Sequence, residues 1–216
     1  MKHILPDQVR IALDRRVAEA EKRTGAQIVL AVVRRSDVYA ELPWKAFALG
    51  AAVAGTGAVM FNLQRPAWNS GAAVLFSVVA TLAVGAACAL LCVLVPGFAR
   101  LFLDAHRAEV EVKQYAESLF LSRELFATRD RIGVLLLVSM FERRVVLLPD
   151  IGLAKRLGRE TMHDIVARMT ASLAGGQVDR ALEQGIEGLE EHLTSKPVGA
   201  GPGNDLPNAV IEEKGV

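Results

Sequence analysis

Thiols, a secretory leader and the usual catalytic signatures are missing from most of this chain. Its 216 residues include two cysteines, Cys88 and Cys92, four apart inside one apolar run. Helical i,i+4 spacing does not give disulfide geometry, and the run holds no His, Asp or Glu to complete a metal site. Both cysteines therefore read as small packing residues. No thiol lies elsewhere, so redox compartment is left open. The formal net charge of +1 leaves no basic excess, and no nucleic-acid partner is expected. His3, His106, His163 and His192 are scattered, without i,i+4 or Glu-x-x-His pairing. A P-loop, a Gly-x-Ser-x-Gly elbow, an Asp-x-Asp pair and a cysteine–arginine nucleophile loop are absent too, so no catalytic residue is assignable. Charges recur from Asp7 to Arg23 behind Pro6, which leaves no continuous apolar segment for a secretory leader.

Charge itself is missing from two long intervals. Residues 46–63 are Ala, Val, Gly, Leu, Met and Phe, with Thr56 and Asn62 the polar exceptions. Residues 71–95 admit only Ser77 and Thr81 as polar groups. As helices these runs measure roughly 27 Å and 37 Å, against a hydrocarbon core of about 30 Å. The linker 64–70 is short and polar and contains Pro66, which makes the spans antiparallel neighbours with both flanks on one side of a membrane. A buried helical pair in a soluble core is the alternative, but a chain of this length rarely covers two uncharged helices completely. The flanks also suit a lipid interface: Trp44 and Lys45 before the first span, Arg65 and Trp68 in the turn, Phe98 and Arg100 after the second. Mean hydropathy is +0.31, high for a soluble domain. Arg34, Arg35, Lys45, Arg100 and Arg107 flank the hairpin and only Arg65 lies in its turn, so the soluble part is expected on the cytoplasmic side of the inner (plasma) membrane. Small residues recur four apart at Ala48/Ala52, Ala51/Gly55 and Ala54/Ala58, and again at Ala83/Ala87 and Gly85/Ala89. Such faces allow close helix approach, within the hairpin or in a homo-oligomer.

Around the hairpin the pattern is α/β. Val9, Leu13, Val17 and Ala20 give an amphipathic helix that starts after Pro6-Asp7 and stops at Thr24-Gly25. Residues 27–33 (QIVLAVV) form a β-branched run suited to a strand covered on both faces. A helix is expected from about residue 100 to 126, then a polar turn at 128–131 and a strand at 133–140. Phe141-Glu142 reads as a two-residue turn into a third strand at 143–148. Residues 149–152 end that strand. Helices follow at 161–173 and 178–193, and a Pro/Gly-rich tail from Lys196. One strand precedes the hairpin and two follow it, and neither set makes a sheet alone. The expected fold is therefore α/β, a small mixed β-sheet flanked by helices and interrupted by a two-helix transmembrane hairpin. Its parts are 1–43 and 99–195 for the divided domain, 44–98 for the hairpin and 196–216 for a flexible tail.

Several stretches resemble the TPM-domain family. Thr24-Gly25-Ala26-Gln27-Ile28-Val29-Leu30 is similar to its opening "T-G-x-x-I-x-V" strand. Ala116 to Phe120, then Thr128 to Leu136, resemble its "A-x-x-x-F … T-x-x-R-x-G-V-L-L" segment. Glu142-Arg143-Arg144-Val145 with Asp150-Ile151-Gly152-Leu153 resembles its "E-R-x-V … G-D-x-G-I" hairpin, with Pro149 where the family has glycine. Asn204-Asp205-Leu206-Pro207-Asn208 is similar to the "N-E-L-P-D" ending of a bacterial branch of predicted membrane proteins. The resemblance implies a small sheet flanked by helices. It also implies a range of roles, from a plant thylakoid-lumen acid phosphatase and photosystem-repair factors to calcium-binding bacterial domains and an auxiliary protein of a neuronal receptor.

Asp130 precedes one strand of the expected hairpin and Asp150 follows the other, so both carboxylates fall at one rim of the sheet, with Glu142 at the opposite end. Two carboxylates with nearby carbonyls suit a hard cation, Ca²⁺ or Mg²⁺. The competing role is that of turn-formers that accept from nearby backbone N–H groups. Arg129, Arg131, Arg143 and Arg144 offer charge for a phosphate, but read more simply as flanking surface charges. The expected function is a non-enzymatic interaction module, an assembly or maintenance factor tethered in the bilayer and bound to a membrane-protein partner. A weak divalent-metal-dependent phosphatase and a calcium-binding domain are the alternatives.

Overall fold

A computed structural model of the chain describes residues 4–64, 71–128, 130–194 and 210–215. The chain divides into two compact units, Met1–Asp37 with His106–Val216, and Val38–Ala105 inserted between them.

The first unit is built on a mixed four-stranded sheet of order β3-β2-β1-β4. β1 (Gln27–Val33) and β2 (Gly133–Ser139) are buried along their whole length, as their unbroken apolar runs demand. They pair in parallel, Gln27 opposite Gly133 and Val33 opposite Ser139. β3 (Arg144–Pro149) runs antiparallel to β2, and β4 (Ile211–Glu213) runs parallel to β1. One face of the sheet packs Ile28, Leu30, Leu136 and Val138 against α1 (Asp7–Thr24), α7 (Arg159–Ala174) and α8 (Val178–Leu193). The other packs Val29, Ala31, Leu135 and Leu137 against Val112, Ala116 and Leu119 of α5 (Ala105–Ser122). The small mixed sheet with helices on both faces is thus the observed architecture, and the chain crosses from β1 to β2 through the insertion and α5.

Local chemistry sets the ends of these elements. α1 stops at Gly25, whose φ of +74° suits a residue without Cβ and lets its N–H reach Glu21 O at 2.8 Å. Arg16 grips Glu190 of α8 with two hydrogen bonds, 3.0 and 2.6 Å long, and that carboxylate raises the guanidinium above its usual pKa. Asp37 and Arg107, at the points where the chain leaves and rejoins the sheet unit, form an ion pair at 3.2 Å.

Four expectations need correction. The helix from residue 100 is broken: α4 (Pro96–Ala99) passes into a 3-10 turn (Arg100–Phe102), Leu103 is extended, and α5 starts at Ala105. α5 ends at Ser122, where Glu124 (φ +52°) takes the left-handed position that glycine usually fills, and Leu125 N–H bonds back to Phe120 O at 3.0 Å. The β2–β3 turn is the four residues 140–143, since Met140 and Phe141 donate to Val33 O and Arg34 O and Arg143 is left-handed at φ +52°. Residues 149–152 do not merely end a strand, because α6 (Ile151–Leu157) begins there and buries Leu153 and Leu157. Finally, the segment 196–216 does not end as a tail: Ile211–Glu213 completes the sheet. The sequence motif at 204–208, Arg129 and the linker with Arg65 and Trp68 lie outside the described residues.

The second unit contains α2 (Glu41–Gln64) and α3 (Gly71–Leu94), each 24 residues long and apolar enough to cross a membrane. Trp44 and Lys45 lie inside the first turns of α2, so this helix is longer than the uncharged run alone. The helices pack antiparallel through glycines. A Cβ on Gly50 would stand 2.7 Å from Cys88 Sγ, and one on Gly85 would stand 2.9 Å from the Phe47 ring. Cys88 and Cys92 are free thiols, and Cys92 is buried as a packing group. Away from that seam little is covered, since 11% of the most apolar window of α2 and 6% of that of α3 are buried.

Candidate functional site

The Asp130/Asp150 rim lies at the end of the sheet where β1 and β2 begin. Asp150 follows β3, and its N–H bonds to Gly133 O at 2.8 Å. Its side chain is buried: Oδ1 accepts from Ile151 N at the head of α6 at 2.7 Å, and Oδ2 lies 2.8 Å from Arg131 Nε. Asp130 is exposed. The two loops touch through the backbone, because Gly152 donates to Arg131 O at 3.0 Å and a Cβ on Gly152 would stand 2.5 Å from Asp130 O. Gly133 is equally confined, its would-be Cβ pressing on Leu125 O. Thr128 Oγ1 accepts from Ile132 N at 3.0 Å. The residues of the "T-x-x-R-x-G" and "D-x-G" motifs thus make one knot that joins the loop before β2 to the start of α6. Among the described residues no three His, Cys, Asp or Glu side chains group to hold a metal.

The opposite end of the sheet holds a second polar cluster. Glu142, in the β2–β3 turn, is 7% exposed and turned inward. Its Oε1 accepts from Ser36 N at 2.9 Å and Ser36 Oγ at 2.6 Å, while Oε2 accepts from Ser139 Oγ. Arg35 lies over the Phe141 ring at 4.3 Å. Two hydroxyls aimed at a carboxylate resemble a nucleophile and its base. Yet Ser139 is 0% and Ser36 6% exposed, and a reacting atom has no approach to either. The cluster instead fastens the exit of β1 to the β2–β3 turn.

The third cluster surrounds β4. Glu212 accepts from Ile4 N at 2.9 Å and Leu5 N at 3.2 Å. Glu213 accepts from the Tyr115 hydroxyl at 2.5 Å and from Arg123 Nη2 at 3.1 Å. Burial, and then the Glu213 carboxylate, push the Tyr115 hydroxyl above its usual pKa. Sequence reasoning missed this cluster. Its available signal was the β-branched character of Val210-Ile211, just past Pro207. Of the other residues singled out, Arg143 and His163 are exposed, Arg144 is half-buried, and His192 Nδ1 is 2.9 Å from Gly188 O.

These observations define an α/β domain with helices on both faces of a mixed sheet, into which a two-helix apolar hairpin is inserted. Residues 94–192 match the model of the TPM domain family, which bears the name TPM phosphatase. The fold is similar to the NMR structure of the BA42 protein from the psychrophilic bacterium Bizionia argentinensis sp. nov., with a TM-score of 0.59 and 14% identity over 99% of this chain and 98% of that one. No curated protein sequence matches.

Proposed function

We propose that this chain is a two-pass protein of the inner membrane that presents its TPM domain, on the cytoplasmic side, as a non-enzymatic docking module for a membrane complex. The observation that carries this reading is the pair of long apolar helices whose most apolar windows the protein leaves almost wholly uncovered. Exposed large side chains along them include Leu49, Val53, Met60, Phe76, Leu90 and Leu94. In water such a surface costs about 25 cal/mol per Å², whereas hydrocarbon solvates it. Trp44, 73% exposed in the first turns of α2, supplies an amphipathic ring of the kind that prefers the headgroup zone. The non-enzymatic reading is supported by the polar clusters, whose groups fasten one element to another. A phosphatase reading draws on the family name, and the described residues supply no open nucleophile–base pair in its support.

The test is affinity purification of the tagged chain from mildly solubilised native membranes, beside a control with residues 46–95 replaced by a soluble linker. A reproducible partner that follows the intact chain supports the reading, and its identity names the process. Recovery of the same proteins with both chains, or of none, counts against it.

A further inference from the structure

One edge of β1 pairs with β2, and the other is covered by residues from the far end of the chain. Ile211, Glu212 and Glu213 lie in parallel register beside Ala31, Val32 and Val33, and Arg34 N–H adds a bond to Glu213 O at 3.3 Å. Side chains alternate across a strand, and here each face receives one aliphatic group and one acid. Val210 joins the core shared with α1 and α8, and Glu212 is held next to it by the N–H groups of Ile4 and Leu5. Ile211 packs on the α5 side, where Glu213 meets Tyr115 and Arg123. The edge therefore reads four successive residues, two aliphatic and then two acidic, through main-chain pairing and two separate donor sites.

Three residues make a marginal strand by themselves, and specificity here resides in the side-chain contacts. Residues 195–209 join α8 to this strand, a connection long enough for β4 to leave while α8 and the other strands stay paired.

We propose that the edge of β1 that β4 covers is a peptide-docking edge for a partner protein with an extended aliphatic-aliphatic-acidic-acidic segment, and that residues 210–213 are its resident occupant in cis. The partner binds by adding a parallel strand, with backbone bonds for affinity and alternate side-chain contacts for selectivity. The tethered strand competes at high effective concentration, so docking is held back until the strand is displaced. The inference deepens the docking-module reading by naming the partner's chemistry. A second copy of the chain, which carries the same segment, is an outcome that the test separates.

The probe is a fluorescein-labelled peptide NAVIEEKG, residues 208–215, titrated against the purified chain in detergent and against a chain ending at Leu206. Binding tighter by about tenfold or more to the shortened chain, and lost when both glutamates of the peptide become lysine, is the expected result. Equal binding to both chains, or indifference to the lysine peptide, overturns the proposal. Self-association of the shortened chain with intact chains, read by light scattering, would reassign the occupant to a second copy and overturn the partner assignment.

Hydrogen exchange on the intact chain guards against a shortened chain that fails to fold. The amides of Ile4, Leu5, Arg34 and Val210, which bond to β4 or anchor it, should exchange about a hundredfold faster than those of β2. A common rate for both sets makes β4 an integral strand and overturns the proposal. Peptide binding is measured on purified chain and co-purification in membranes, so the failure of either leaves the other standing.

Discussion

Asp150 and Gly152 show how motif residues hold this fold together one contact at a time. The carboxylate of Asp150 starts α6 and meets Arg131, whose side chain is half exposed, so the ion pair adds little beyond the cap. Asp150→Ala should cost about 1–2 kcal/mol, read as a shift in the urea midpoint. Asp150→Asn, which keeps an acceptor at the cap, should cost less. Both losses should be the same in millimolar Ca²⁺ or Mg²⁺ as in chelator. Stabilisation of the wild type by either ion, abolished in Asp150→Asn, would instead restore the Asp130/Asp150 ion site. Gly152 is under a different constraint, since a methyl group would press on the Asp130 and Arg131 carbonyls at 2.5 and 2.6 Å. Backbone cannot yield as a side-chain tip does, so Gly152→Ala should cost about 2 kcal/mol or more, measured in the same titration.

The elements that the sequence announces are those with enough residues to show a period. The unbroken apolar runs 28–33 and 133–138 identify β1 and β2, and the spacing of Leu182, Ile186, Leu189 and Leu193 identifies α8. α6 was hidden because Pro149 and Gly152 at its head carry the signature of a turn, while the end of α5 was hidden because a glutamate does glycine's work. β4 is too short for any period, and its meaning comes from Ile4, Leu5, Tyr115 and Arg123, all distant in sequence. The Glu142 cluster was illegible for the same reason, although its place at the far end of the sheet from Asp150 was readable from strand order. Glu142→Ala strands two buried hydroxyls and the Ser36 N–H, and should cost about 2–3 kcal/mol. Glu142→Gln should cost far less, because its carbonyl still accepts from Ser36 and the Ser139 hydroxyl can rotate to accept from the amide. Tyr115 makes the attachment of β4 pH-dependent. Its folded pKa is raised, so its contribution is whole below the unfolded value near pH 10 and is lost as pH climbs toward the folded one. A Tyr115→Phe chain should be less stable than wild type at neutral pH, and the gap between their urea midpoints should close above about pH 10.

At the scale of the whole molecule, a sheet domain split by an apolar insertion raises the question of what each part needs from the other. Both chain ends of the insertion leave the sheet unit at one place, pinned by Asp37 and Arg107, and the strands and helices of that unit close their own core without α2 or α3. A chain with residues 46–95 replaced by a short polar linker should therefore fold, with its sheet unit intact by circular dichroism and cooperative melting. The same replacement removes most of the exposed large apolar side chains among the described residues. The intact chain should stay with the membrane pellet after alkaline carbonate extraction, and the replaced chain should move wholly to the supernatant. The sidedness proposed above rests on charge, because five basic residues flank the hairpin and one lies in its turn. A single cysteine placed at Asn69, in a chain with Cys88 and Cys92 changed to alanine, should react with an impermeant maleimide from the periplasmic side of intact cells. One placed at Lys214 should react only after the inner membrane is opened. Labelling in the reverse order would keep the two-pass topology and invert the protein, moving the sheet unit and its docking edge to the periplasmic side.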